Sequence, residues 1–451
     1  MLLVTGCNNG NKTKSEVNNV DNAFTNDLKH RTFKYFWDTV DTLTWQTPDR
    51  YPTKSFTSVA ATGFGLTTYI VGVNNNYITR AEAAERVLKT LTWLKNSKQG
   101  SEVSGITGYK GFYYHFLTYD QGFRYKNVEL STIDTAWLIA GILSCQTFFD
   151  KDNEQENQIR EIADFLYRRV EWDWAMNGHE VMTMGWHPES GFINAKYDGY
   201  SEAMMLYILG LASPTHPISD NTWDAWCSTY IWKNFYGYKY INFEPLFGHQ
   251  YSHMYIDFRG IQDDFMKDKG IDYFENSRRA TLANRNYCIE NPQNFIAYSD
   301  SIWGLTACDG PADTAMIING NKVQFYSYRA RGASVRYIED DGTIAPTAAG
   351  GSIPFAPQEC IAALKAMKNT YGEKIYGEFG FKDAFNPTFI SPKTPNGWFD
   401  HDYLGIDQGP ILIQLENYQT ELIWNLMKKN KYIVTGLKKA GFKGGWLDTA
   451  E

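Results

Sequence analysis

Apolar residues recur with a helical period almost without interruption from Phe24 to Lys439, and strand-like alternation is scarce. Twelve such segments fall into six successive pairs. The pairs are Phe24–Leu43 with Ser58–Val73, Thr79–Asn96 with Ser131–Phe149, Asn153–Val170 with Ser201–Leu211, Asp220–Phe235 with His253–Phe265, Asp272–Cys288 with Ser301–Cys308, and Pro357–Tyr371 with Gln408–Lys428. The first member of each pair is amphipathic; the second is more apolar and rich in small residues. Several second members open on Ser or Thr, natural N-caps, as in Ser58-Val59-Ala60-Ala61-Thr62-Gly63 and Ser131-Thr132-Ile133-Asp134-Thr135-Ala136. Small residues let helices crowd, so these suit an inner ring with the amphipathic partners outside. The expected fold is therefore all-α, an (α/α)6 barrel or toroid, which lets one domain of residues 23–451 exceed the usual single-core size.

The connections from outer to inner helix are long: Thr44–Thr57, Ser97–Leu130, Glu171–Tyr200, Tyr236–Ser252, Ile289–Asp300 and Gly372–Asp407. Long connections in a compact domain are usually functional, and in such a barrel they wall one cavity at the face where inner helices begin. Within Asp309–Ile353, the run Lys322-Val323-Gln324-Phe325-Tyr326-Ser327-Tyr328 alternates like a strand and predicts a small β excursion over the rim.

The charge balance of −8, with no Lys/Arg block, excludes a phosphate-backbone partner. Aromatics make up 16% of the chain, many in Gly-rich polar contexts, where they can serve as stacking platforms for pyranose rings or fill a large helical core. No apolar run reaches the roughly 18–20 residues that span a bilayer. The start, Met1-Leu2-Leu3-Val4-Thr5-Gly6-Cys7, resembles a bacterial lipobox followed by a polar tract, so residues 1–22 are expected to be a tether acylated at Cys7. It lacks a basic n-region and a full signal-peptide core, which predicts a native start upstream of Met1. That implies a periplasmic or outer-membrane-surface protein held to the membrane by the lipid alone. Cys145, Cys227, Cys288, Cys308 and Cys360 are scattered without CxxC spacing, as buried free thiols would be.

Hydrolysis of a glycosidic bond needs two carboxyl groups, one to protonate the leaving oxygen and one opposite it. Acids in Gly- and aromatic-rich contexts at the starts of inner helices are the candidates: Glu202 in Tyr197–Ala203, Asp134 in Glu129–Trp137, and Asp400, Asp402 and Asp407 in Asn396–Pro410. Glu202, Asp134 and Asp407 can equally be helix-start charges favoured by the macrodipole. Candidate sugar contacts lie in Gly111–Phe116 (Tyr114), Gly185–Phe192 (Trp186, His187) and Phe247–His253 (His249, Tyr251), with Arg259, Trp303 and Trp398 elsewhere in the chain. A packing role competes at each. No phosphate loop, dinucleotide fingerprint, zinc signature or Ca-binding loop is present, so neither a cofactor nor a metal is expected.

Thr57–Leu66, Gly108–Phe116, Ser131–Trp137, Trp186–Phe192, Tyr200–Met205, Tyr298–Pro311 and Trp398–Gly409 together resemble the bacterial glucoamylase-like family, which overlaps the β-1,2-glucan hydrolases of glycoside hydrolase family 144. The resemblance covers nearly everything after the N-terminal tract. It implies an (α/α)6 toroid, a large central cavity, a monomer, and action on a glucan oligosaccharide or polysaccharide. It points to Glu202 and Asp400 as the essential acids, with Asp134 a third contender and Asp407 among the residues around the substrate. Relatives of this architecture invert, which calls for an acid and a base roughly 6.5–9.5 Å apart. Starch-type α-glucan hydrolysis, a non-catalytic glycan-binding lipoprotein and a polysaccharide lyase are the rival readings; a lyase would want a basic cleft, which the acidic balance disfavours.

Overall fold

In a computed structural model, residues 14–318 and 320–450 are described. Their helices in chain order are α1 (Lys14–Asp38), α2 (Val59–Asn74), α3 (Arg80–Asn96), α4 (Thr132–Phe148), α5 (Glu154–Arg168), α6 (Trp172–Ala175), α7 (Met204–Ala212), α8 (Thr222–Cys227), α9 (Asp264–Lys269), α10 (Tyr273–Glu290), α11 (Pro346–Gly350), α12 (Pro357–Tyr371), α13 (Gly405–Thr420), α14 (Leu422–Met427) and α15 (Lys431–Lys439). None is long and apolar enough to cross a membrane. The caps expected at Ser58 and Ser131 are in place, Ser58 Oγ accepting from Ala61 N and Ser131 Oγ from Asp134 N, whereas Ser201 caps no helix, since α7 begins at Met204 without a side-chain cap bond; Thr79 with Glu82 forms a capping box.

Helices α2, α4, α7 and α13 are buried nearly all round, as their small-residue sequences require. Helix α2 packs on α4 and α13, α4 on α7, and α11 on α13, while α1, α3, α5, α12 and α15 cover them from outside. Glycines set the closest approach. A Cβ on Gly141 would lie 2.0 Å from the Gly63 carbonyl oxygen, and one on Gly409 2.4 Å from the Phe64 ring. The two backbones of α2 and α4 thus touch, which no other residue at position 63 or 141 permits.

Three expected helices fail, each for a local reason. Asp220–Phe235 stops at Cys227, and Trp232–Phe235 pairs with Tyr238–Ile241 in a hairpin whose two turn residues, Tyr236 (φ 43°) and Gly237 (φ 88°), lie in the left-handed region. Of the expected helix His253–Phe265 the start is a 3₁₀ turn, Ser252–Met254, that follows another at Leu246–His249, and the chain enters the left-handed region at Gly260 (φ 73°), which an α-helix does not permit. These turns sit between α7 and α11: Ser252 Oγ donates to the Glu202 carbonyl (2.9 Å), and Gln250 Nε2 donates to the Ala348 carbonyl (2.8 Å). Ser301–Cys308 is extended around Gly304 (φ 143°), and α11 supplies the inner element instead.

Strands are commoner than expected. Gly108–Tyr109, Phe112–Tyr114, Leu130–Ser131, Gly185–His187 and Gly191–Phe192 form a five-stranded sheet across two of the long connections, and the other strands pair in twos. The expected β excursion is the Thr314–Ile318/Asn321–Phe325 hairpin. Helix α1 begins at Lys14 rather than Phe24, so the last part of the expected tether is helical; once a turn is seated, each added residue gains a hydrogen bond at little cost. Cys7 and the rest of that tract lie outside the described residues. The other five cysteines are buried free thiols.

Candidate active site

The long connections meet over the starts of α4, α7 and α13 and enclose a cavity of about 340 Å³. Four carboxyl side chains reach it: Glu129, Asp134, Glu202 and Asp407. Trp137, Tyr197, Phe247, Tyr251 and Tyr328 supply flat apolar walls. Each acid is held by its element. Asp134 is in the first turn of α4, its carboxylate accepting the hydroxyl of the capping Ser131. Asp407 is in the first turn of α13. Glu202 lies in the turn just ahead of α7, where Ser252 Oγ fixes its carbonyl and also accepts from Met205 N at 3.1 Å.

Burial raises the Glu202 carboxyl to about 7, with the nearby Asp134 charge adding to the shift and its own backbone N–H opposing it. A group poised there still carries its proton near neutral pH, as a general acid requires. Asp134 is itself raised by burial, against the pull of His115 and Ser131. His115 stands between two carboxylates: Nδ1 is 2.7 Å from Glu129 Oε1, and Nε2 is 3.6 Å from Asp134 Oδ1. Burial opposes its charge, but Asp134 and Glu129 outweigh burial and lift the imidazole to about 9. A protonated imidazole therefore stands beside the Asp134 carboxylate.

A second carboxyl cluster backs Asp407. Asp383, wholly buried, is pushed far up by burial and by the neighbouring Asp407, and burial likewise raises Asp407. Asp400 adjoins this pair. Its Oδ1 accepts backbone N–H groups of His401 (2.6 Å) and Asp402 (3.1 Å), while its buried Oδ2 has no partner. Burial raises Asp400 too, but the two N–H donors favour its charged form. Asp309, Asp383 and Asp400 offer oxygens within 4.8 Å of one another, the spacing a cation would need, and Arg50 already answers part of that charge at 2.6 Å from Asp309 and 3.0 Å from Asp49.

Of the sequence candidates, Glu202, Asp134, Asp407 and Tyr251 meet at the cavity; Tyr251 anchors its hydroxyl on the Ile406 carbonyl (3.2 Å). Asp400 is not among the lining residues and reaches the site only through the Asp383–Asp407 pair. The other expected sugar contacts are not among the residues that line this cavity. His249 is buried beneath Tyr200, and burial lowers it to about 3, so it is a neutral core histidine. Trp303 is fully buried. Tyr114 is buried under the Arg124 guanidinium. Arg259 chelates Asp257, bonds Glu421 and lies over Trp424. Trp186 packs on Tyr109 and Trp174 within the five-stranded sheet, His187 contacts Arg124, and Trp398 pairs with Asn386 in a short strand. His115, Glu129, Asp309 and Asp383 were not singled out. Their signal is pairing between distant loops, as when strand contact sets His115 N on the Glu129 carbonyl.

Residues 194–431 match the model of the "Putative glucoamylase" family. A solved "putative glucoamylase" from Bacteroides uniformis is 32% identical, covering 95% of this chain and 99% of its own, with a TM-score of 0.80. The endo-β-1,2-glucanase from Chitinophaga pinensis, solved with sophorotriose and glucose, is 29% identical over 94% of this chain and 99% of its own, with a TM-score of 0.81. An exo β-1,2-glucooligosaccharide sophorohydrolase (non-reducing end) from Parabacteroides distasonis is 27% identical over 91% of this chain, and this chain spans 57% of that relative's length.

Proposed function

The chain belongs to the glucoamylase-like family, which takes in β-1,2-glucan hydrolases, and on that premise we propose that it is an inverting glycoside hydrolase of β-1,2-linked glucan. The observation that carries the reading is Glu202: a carboxyl group raised to about 7, facing a walled cavity with further acids across it. Glu202 gives its proton to the leaving glycosidic oxygen. On the opposite face a water attacks the anomeric carbon as the glycosidic bond breaks, and its proton passes to the Asp400–Asp383–Asp407 cluster. Asp400 is the member of that cluster that carries the negative charge, since its Oδ1 holds two backbone N–H donors. Asp134, neutralised on one side by His115, keeps Glu202 protonated. The printed activities of the Chitinophaga and Parabacteroides relatives support β-1,2 linkage over starch.

The same reading takes the helices as an (α/α)6 toroid. It is supported by the succession of contacts α13–α2–α4–α7, then the turns at residues 246–254, then α11 and back to α13. It also takes the protein as a monomer, acylated at Cys7 and held at the periplasmic or outer surface; Cys7→Ala should abolish metabolic lipid labelling.

The test is hydrolysis of linear β-1,2-glucan beside α-1,4- and β-1,3-glucans, with the first-formed anomer followed by NMR. Release of the α-anomer from β-1,2-glucan alone is expected. A β-anomer overturns inversion, cleavage of α-1,4-glucan overturns the linkage, and no cleavage of any glucan overturns the enzyme.

A further inference from the structure

We propose that a groove along the outer face of α3 is a second glucan-binding site, one that holds the polymer away from the catalytic cavity; the inference rests on the glucan-hydrolase reading. The groove encloses about 860 Å³ and shares no lining residue with the cavity around Glu202. Its floor is one stripe of α3, from Glu85 through Lys89 and Thr92 to Asn96, a span of roughly 16 Å at helical rise. Two half-buried indoles, Trp45 and Trp93, present flat surface to it.

Trp93 packs against the main core at the groove's edge, and both indoles are fixed in place by neighbouring loops. Trp93 lies against Gly122, where a Cβ would come within 2.2 Å of its ring; Gly122 (φ 68°) is itself fixed by Thr107 Oγ1 donating to its carbonyl. Trp45 has φ 59°, a left-handed conformation that bulky residues rarely adopt. The turn that imposes it is clamped by Asp41, whose Oδ2 accepts Thr44 N (2.6 Å) and the Thr44 hydroxyl (2.7 Å), while Lys89 Nζ sits 4.7 Å from the Trp45 ring centre.

The chemistry between the rings selects the ligand. Glu85 and Lys89 pair at 2.7 Å and Lys98 at the groove's end faces Glu102 at 3.6 Å, so each charged group along the groove already has a counter-charge within the chain. The side-chain amides of Asn96, Gln121 and Gln155 make no hydrogen bond among the described residues, leaving donors and acceptors to offer. Aromatic faces interleaved with open amides, and charges already paired, match a neutral chain of pyranose rings: apolar C–H faces for the indoles, hydroxyls for the amides. An apolar protein face would desolvate those amides without repaying them.

The test uses the full chain carrying Glu202→Gln to prevent turnover, run in native gels containing linear β-1,2-glucan, α-1,4-glucan or neither. Retardation by β-1,2-glucan is expected, with the apparent dissociation constant raised about fivefold by Trp45→Ala, the loss of one stacked ring, and restored by Trp45→Phe. With Glu202 intact, Trp45→Ala should raise KM for the polymer by a similar factor and leave hydrolysis of short oligosaccharides unchanged. Equal retardation with and without Trp45 overturns the site, as does an equal loss on short and long substrates, or a Trp45-dependent dimer in sedimentation. Trp45-dependent retardation by a different glucan, without cleavage of β-1,2-glucan, keeps the groove and discards the substrate reading. Cleavage without Trp45-dependent retardation does the reverse.

Discussion

Glu202 and His115 both hold protons more tightly in the folded chain than in the unfolded one, and the consequences have the same sign. Glu202 moves from 4.5 to about 7, so its contribution to stability is full below pH 4.5 and is lost as pH rises through 7. His115 moves from 6.5 to about 9, so its contribution is full below pH 6.5 and is lost as pH rises through 9. Glu202→Gln should therefore melt progressively higher than the parent between pH 5 and 8, while turnover falls about 10²–10⁴-fold, the scale of a general acid, and oligosaccharide binding persists. Near-normal turnover in that variant would remove Glu202 from the mechanism. His115→Gln should flatten the decline in melting temperature between pH 6.5 and 9.5; a decline as steep as the parent's would mean the imidazole is not the group responsible. Asp134→Asn should move the alkaline limb of kcat/KM to lower pH, because one cause of Glu202's raised value is gone; an unmoved limb would dismiss the coupling. Glu202, Asp134 and Asp407 were legible because each stands at the start of an apolar helix, a place the sequence marks by pattern. His115 and Asp383 were not, since what makes them functional is a partner far along the chain, and no local pattern encodes that.

At the scale of elements, α2 and α4 meet through Gly63 and Gly141. Gly141→Ala gains up to about 1 kcal/mol of helix propensity, but the new methyl would sit 2.0 Å from a backbone oxygen that cannot step aside, so the overpacking cost of about 1–3 kcal/mol prevails. A net loss of stability by chemical denaturation is expected, and a gain would mean the helices can separate freely. The long helices were readable because period and caps agree at each: α2, α3, α4, α5, α10 and α12 begin within a few residues of their expected starts. What could not be read were elements whose geometry is set by one glycine or by pairing across the molecule. Gly304 and Gly260 break two apolar stretches that look helical, and strands of two to five residues are too short to show alternation. Trp232–Phe235 looked helical because aromatic residues fill either period.

At the scale of the molecule, the first helix and α13, from opposite ends of the sequence, are joined by a buried ion pair. Glu416 on α13 accepts Lys29 of α1 (2.6 Å) and the side-chain amides of Asn74 (2.9 Å) and Asn75 (3.0 Å) at the end of α2, and both charged side chains are almost wholly buried. Glu416→Ala leaves the Lys29 ammonium buried without its counter-charge and should cost about 3–5 kcal/mol, measured by denaturant unfolding. The double change Lys29→Met with Glu416→Leu should recover much of that loss; no recovery would mean that the amide contacts, not the charges, bind the helices. This pair has a consequence during synthesis. Its two members are 387 residues apart, so at about 5–20 residues per second Lys29 leaves the ribosome roughly 20–80 s before Glu416 exists. For that interval the apolar flanks of α1 and α2 that α13 will cover face water, and any chain stalled before α13 presents them permanently, a ready signal for chaperones and proteases to tell an unfinished copy from a finished one.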